Sequence, residues 1–208
     1  MVGATVQAHG RLILHAALLF CVGLFAAAPV VRFRMRTVAW PALVVFRLIL
    51  RLAGTSPGIV RLAAVIFGFN APAMFLYMAS GFHPMLPKIF GIWTGMNIAA
   101  VSAFVTRGIE PLPPMLRTEA QWAPPSHLTS ACSLLVLGLE LPCFWLAIAM
   151  GMGMGNEVLG GTSYAAALAP RAVAYCALVV PTLLVSAIAE AIAVRGALPP
   201  VAAPGTEC

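Results

Sequence analysis

The chain is short of charge. Of its 208 residues 12 are Lys or Arg and 6 are acidic, so charged residues make up 9% of the sequence. A soluble globular chain carries about a quarter. With so few, a soluble fold could not cover its surface with polar groups, and that class is excluded. Also lacking is any polar stretch long enough to bury a core of its own, so no extramembrane domain is expected. The cysteines Cys21, Cys132, Cys143, Cys176 and Cys208 form no C-x-x-C pair and no metal-type spacing. Four of them lie in apolar stretches, where cysteine behaves as a small hydrophobe. Neither a disulfide framework nor a metal site is expected. No lysine stands near Gly151, Gly153 and Gly155, which argues against a phosphate-cradling loop. Ser130 and Ser133 have only His127 near them in sequence, which is too little for a nucleophile and its base. No catalytic residue, cofactor or nucleic-acid partner is expected.

What is present is apolar sequence: 62% of residues are hydrophobic and the mean hydropathy is +0.99. Five runs approach the roughly 20 residues that cross a bilayer. They are 12–31, 61–80, 87–105, 130–154 and 172–194. The expected fold is therefore all-α, a polytopic transmembrane bundle of about five spans forming one domain in the lipid bilayer. The end of the first run, Ala26-Ala27-Ala28, looks like a leader cleavage site, but Pro29 follows directly and disfavours cutting. Arg32, Arg34 and Arg36 then follow as a stop-transfer cluster would. Residues 38–52 are apolar but carry Arg47 and Arg51 four apart on one helix face. That pattern predicts an interfacial helix rather than a span. A Pro-rich loop is expected over 106–128, where five prolines forbid regular helix. A loop is expected over 155–170, and a disordered tail over 196–208.

Basic residues set the orientation. With five spans, Arg32, Arg34, Arg36, Arg47, Arg51, Arg61, Arg107, Arg117 and Arg195 share one side, against Arg11, Lys88 and Arg171 on the other. The expectation is plasma (inner) membrane residence with the N-terminus outside and the C-terminus cytoplasmic.

The polar residues inside apolar runs are the candidate site. Glu140 and Glu190 are the carboxylates; Asn70 and Asn97 are the amides. A charge at membrane depth costs roughly 2.5–3.5 kcal/mol on insertion scales and is tolerated where the bundle interior receives it. Glu140 and Glu190 can be read as an ion or proton site. They can equally be read as structural groups that fix helix register, with Arg61 and Arg107 as possible charge partners. Asn70 and Asn97 read as interhelical hydrogen-bond partners. Gly91 and Gly95, at Gly-x-x-x-Gly spacing, read as helix-packing positions, and Gly151 and Gly155 as packing positions or a helix end.

Three stretches together resemble the stage II sporulation protein M family of integral membrane proteins. The first is Gly138-Leu139-Glu140-Leu141-Pro142 followed by the glycine-rich run 151–155. The second is the Asn-bearing helix and glycine turn from Asn70 to Gly81. The third is Val180-Pro181 to Glu190. Where that family often has His-Gly this chain has Leu137-Gly138, and the family's Asn-Gly appears as Gly95-Met96-Asn97. The resemblance implies a membrane component of a complex that remodels septal peptidoglycan, in which partner proteins do the cutting. The resulting expectation is a non-enzymatic membrane scaffold or complex subunit, partnered by other membrane proteins or by copies of itself. The alternative is a small transporter or channel in which Glu140 and Glu190 carry a cation or proton.

Overall fold

A computed structural model of the protein describes residues 2–54, 58–106 and 127–197. Among the described residues there are helices and turns and no strand. Helix α1 spans Val2–Arg32, α2 Arg36–Ala53, α3 Ile59–Ala79 and α4 Leu86–Thr106. Helix α5 spans His127–Leu159 and α6 Tyr164–Ala174. A π-helical stretch, Tyr175–Val179, leads into α7, Val180–Ala197. Arg107 and most of the expected 106–128 loop lie outside the described residues, as does the tail beyond Ala197.

Helix α5 is the axis of the bundle. It packs on α1, α3, α4, α6 and α7. From Ala147 to Met150, and again at Met152 and Met154, its side chains are almost wholly buried. A helix enclosed all round must be apolar all round, and this stretch is built from alanine, isoleucine, methionine and glycine. The glycines let neighbours reach its backbone. A Cβ on Gly151 would stand 2.7 Å from the Tyr77 carbonyl of α3, and one on Gly81 would meet the Gly151 carbonyl itself. The alternating glycines therefore do not end the helix. They are its closest contact points, and α5 continues through them to Leu159.

The segment 155–170, read from sequence as a loop, is instead the end of α5, a tight turn and the start of α6. Gly161, at φ 94°, makes the turn. Ser163 caps α6, its hydroxyl accepting the Ala166 N–H at 3.4 Å. Glycines and an acidic residue marked this stretch as loop-like. Packing on α5 and a serine cap overrode that composition.

Register sets the directions of the helices. Gly91 faces Leu19, Gly95 faces Phe20 and Leu24, and Ala100 and Phe104 cluster with Ala27, Val30 and Val31. Numbers rise together, so α1 and α4 are parallel. The 3₁₀ turn Ser80–Phe82 reverses the chain between α3 and α4. Asn70 meets Glu140, and Tyr77 meets Gly151, so α3 and α5 are parallel to each other. The bundle thus has α3 and α5 in one direction, and α1, α4 and α6–α7 in the other.

Helix α2 lies across one end. Its Ala39 and Leu43 pack with the last turns of α1 and α4, and its Ala53 packs with Leu62 and Ala63 at the start of α3. Arg34, at φ 51°, turns the chain from α1 into α2, and the Met35 N–H reaches back to the Val30 carbonyl at 2.8 Å. At the other end of α2, Gly54 takes φ 84° and the Arg61 Nε donates to the Leu52 carbonyl at 3.0 Å. Val44, Val45, Leu48 and Leu52 stay exposed beside the exposed Arg47 and Arg51.

Four stretches are long and apolar enough to cross a membrane: Gly10–Arg32, Ile59–Phe82, Ser130–Leu159 and Tyr164–Arg195. The sequence reading expected five. Helix α4, the expected span 87–105, is not among the four: Lys88, Thr94, Asn97 and Ser102 are spaced along it.

The last helix carries a wide turn just before a proline. Pro181 has no N–H to give the carbonyl four residues back. The chain answers by widening one turn: the Val180 N–H donates to the Tyr175 carbonyl, five residues back. This turn brings the Tyr175 side chain against α3.

Candidate functional site

The polar groups gather where α3, α5 and α7 meet. Asn70 Nδ2 on α3 donates to Glu140 Oε1 on α5 at 2.9 Å. Glu190 lies half-buried on α7, which packs against α5. One turn along α5 is the buried Cys143 thiol. Thr182 Oγ1 on α7 donates to the Leu178 carbonyl of its own helix at 2.7 Å. The Tyr175 hydroxyl donates to the Ala71 carbonyl, next to Asn70. On α7 the polar residues Thr182, Ser186 and Glu190 recur every fourth position, so they form one stripe along the helix. Ala189 and Ala193 of the same helix pack with Cys132 of α5; Glu140 and Cys143, three apart on α5, share one of its faces.

Ser186 sits in the middle of this seam. It is 2% exposed, and its hydroxyl oxygen has no hydrogen-bond partner among the described residues. Sequence reasoning missed Ser186 and Thr182. The signal was available: a four-residue repeat of hydroxyl, hydroxyl and carboxyl on an otherwise apolar helix.

Asn97, grouped with Asn70 from sequence, is elsewhere. It is buried on α4, and its Nδ2 donates to the Trp93 carbonyl of its own helix at 2.8 Å. Its Oδ1 has no partner among the described residues. The expected interhelical bond is replaced by one within the helix, because α4 lies along α1, whose facing residues are apolar. Arg61 is not a charge partner for Glu140. Its guanidinium lies on Gly54 and donates to the Leu52 carbonyl, closing the end of α2.

The glycines take their places between helices. Gly95 meets the Phe20 carbonyl of α1, and Gly23, which sequence reasoning did not single out, meets the Ile92 carbonyl of α4. Gly91 faces the Leu19 Cβ, at 3.4 Å from where its own Cβ would stand. Gly155 abuts Pro84 in the turn between α3 and α4. Backbone approach of this kind permits Cα–H to carbonyl contacts between helices.

A second charged group stands at the opposite end of α5. Arg171 on α6 is 8% exposed. It holds both oxygens of Glu157 in a fork, Nη1 to Oε2 at 2.9 Å and Nη2 to Oε1 at 2.7 Å. Its remaining donors go to the Met150 and Ala167 carbonyls, at 3.1 and 2.7 Å. A planar fork on a carboxylate is the geometry in which arginine binds best. The sequence reading put Glu157 in a loop and so did not pair it with Arg171. The pair fastens the turn between α5 and α6.

The hollows of the bundle are shallow and apolar. One is bordered by Phe67, Gly68, Ala71, Pro72, Phe75 and Tyr175 on the outer face of α3. Among the described residues, no three His, Cys, Asp or Glu side chains come together as metal ligands would. No known protein family, curated protein or solved structure matches the chain.

Proposed function

We propose that the chain is an integral membrane subunit of five spans, with α2 lying at the membrane surface, and that it serves as a scaffold in a larger complex. Helix α4 is taken as the fifth span. It is 21 residues long, about 31 Å at helical rise and enough for the hydrocarbon core. It lies parallel to α1 along its length. The exposed apolar residues of α2 beside Arg47 and Arg51 suit the headgroup boundary. The nine-to-three arginine and lysine bias supports a plasma-membrane protein with its C-terminus in the cytoplasm. The resemblance to stage II sporulation protein M supports the same class of role, a membrane partner of proteins that act on the cell wall.

The observation that carries the scaffold reading is the closed packing around α5. Side chains fill the space around Ala147 to Met154, and glycines bring α3 and the 80–85 turn onto its backbone. In a bilayer such packing, rather than exclusion of water, holds helices together. A static, tightly seated bundle suits a part that others dock on.

A second reading, a carrier of protons or small cations, is favoured by one observation: the buried Ser186 hydroxyl, one turn from Glu190 on α7, has no hydrogen-bonding partner among the described residues. One pair of experiments separates the two. Purification in mild detergent should return a partner in fixed ratio, lost in Glu140→Gln. A protein that elutes alone, and drives pH-dependent flux in liposomes that Glu140→Gln ends, would replace the scaffold by the carrier.

A further inference from the structure

We propose that α2 and the corner before it bind anionic phospholipid, with Arg32, Arg34 and Arg51 on the lipid phosphates and the exposed apolar side of α2 among the acyl chains. This rests on the reading of α2 as lying at the membrane surface, and it adds the class of lipid that α2 takes there. It does not depend on the scaffold role.

Helix α2 has three sides, set by helical spacing. Ala39, Leu43 and Ala53 are buried and face the bundle. Pro41, Val45, Leu48 and Leu52, three and four apart, are exposed and apolar. Arg36, Trp40, Arg47 and Arg51 form a flank between those two sides, and all four are exposed. A helix between protein and water needs one apolar side and one polar side. The second apolar side of α2 needs a second apolar medium. A basic flank that carries a tryptophan and borders such a side fits the boundary between headgroups and acyl chains.

The corner between α1 and α2 repeats the pattern on a smaller scale. Arg32, Phe33, Arg34, Met35 and Arg36 alternate basic and apolar, and all five are exposed. The Arg32 guanidinium stands 5.8 Å from the centre of the Phe33 ring. Arg34 holds φ 51°, a left-handed conformation that glycine or asparagine adopts at less cost. Backbone strain of this kind gathers at functional positions. Here it turns the chain and places a guanidinium at the outside of the corner.

Charge selects the lipid. Residues 1–109 contain no Asp or Glu. Of the acids among the described residues, Glu157 is forked onto Arg171 at the opposite end of the bundle, Glu140 accepts from Asn70, and Glu190 is half-buried on α7. Arg36 and Arg47 have contacts of their own, so the charge assigned to lipid is that of Arg32, Arg34 and Arg51. A choline headgroup carries a cation beside its phosphate, whereas a glycerol headgroup leaves the phosphate charge whole. The planar guanidinium fork fits phosphate oxygens. Basic clusters beside a span are drawn to anionic leaflets, within reach of a Debye length.

The test uses the full-length protein in phosphatidylcholine vesicles that also hold phosphatidylglycerol or phosphatidylcholine brominated near the head end of one acyl chain. Bromine quenches tryptophan on contact, and the quenching that Trp40→Phe removes belongs to Trp40. Quenching of Trp40 is expected to reach half its limit at several-fold less brominated phosphatidylglycerol than brominated phosphatidylcholine. That preference should shrink at about 1 M salt, where the Debye length is about 3 Å. The triple variant Arg32→Gln, Arg34→Asn, Arg51→Gln should lose the preference while Trp40 is still quenched; asparagine tolerates the left-handed φ at position 34. If that variant fails to fold, the salt dependence of the unaltered chain reads the same interaction. Equal quenching by the two lipids, or a preference that neither salt nor the triple variant changes, would overturn anionic-lipid binding and leave α2 at the membrane surface. The rival anions are the chain's own Glu110 and Glu119, which follow α4 in sequence and lie outside the described residues. Equal quenching that turns selective in Glu110→Gln with Glu119→Gln would assign the arginines to them instead. No quenching of Trp40 by either lipid would take α2 off the membrane, and the reading on which the proposal rests would fall with it.

Discussion

Asn70 and Asn97 show what a polar residue in an apolar helix can and cannot announce. Both had to find a hydrogen bond, because a buried amide without one is costly. The residue type said that much. Whether the partner lay on another helix depended on which side of the helix faced which neighbour, and one sequence does not carry that. Asn70 points at α5 and bonds Glu140; Asn97 turns back on Trp93 and leaves its Oδ1 unsatisfied. An orphaned buried acceptor destabilises by about 1–3 kcal/mol. The Trp93 carbonyl already belongs to the α-helical ladder, so little is lost when the Asn97 side chain is removed. Asn97→Leu, close in size, is therefore expected to raise thermal stability in detergent, by up to about 1 kcal/mol after allowing for imperfect fit. A lowered melting temperature would mean that Oδ1 has a partner which the substitution broke.

At the scale of elements, the glycines divide into those that hold helices together and those that do not. Gly95 and Gly23 sit against backbone carbonyls across the α1–α4 interface, whereas Gly138 and Gly68 have open space where a Cβ would go. Gly23, Gly68 and Gly138 look alike in sequence. The Gly91-x-x-x-Gly95 spacing on α4 was legible as a packing motif. Its partner Gly23 was not, since it stands alone in α1. The same ambiguity hid the course of α5, where alternating glycines resembled a helix end. In a bilayer the helical hydrogen bonds have no water to compete with, so glycine breaks a helix less readily than it does in solution. The expected contrast is clear. Gly95→Ala forces a methyl group into the Phe20 carbonyl and should cost about 1–3 kcal/mol through displaced helices. Gly138→Ala should be neutral or stabilising by about 0.5–1 kcal/mol, as alanine loses less backbone freedom. Equal melting temperatures for the two variants in the same detergent would show that α1 and α4 do not approach as described.

For the whole molecule the decisive question is which ends share a side of the membrane. Charge placement predicts an answer from sequence, and the fold shows where those charges gather. Helix α2 lies across the bundle end where α1 stops and α3 starts, so Arg32, Arg34, Arg36, Arg47, Arg51 and Arg61 are gathered at that end. At the opposite end the positive charge is smaller than a count of residues implies, because Arg171 is forked onto Glu157. The bias that orients membrane proteins counts basic residues near the span ends, and here it points one way. If α3 and α4 both cross, the turn at 80–85 must lie on the far side from α2. This can be checked with single cysteines placed in a chain whose native cysteines are replaced by alanine. A membrane-impermeant maleimide added to intact cells should label His83→Cys, at the turn. It should reach Arg36→Cys, at the start of α2, only after the membrane is permeabilised. Labelling of both positions from the same side would mean that the α3–α4 hairpin does not span, and the five-span architecture would then fail.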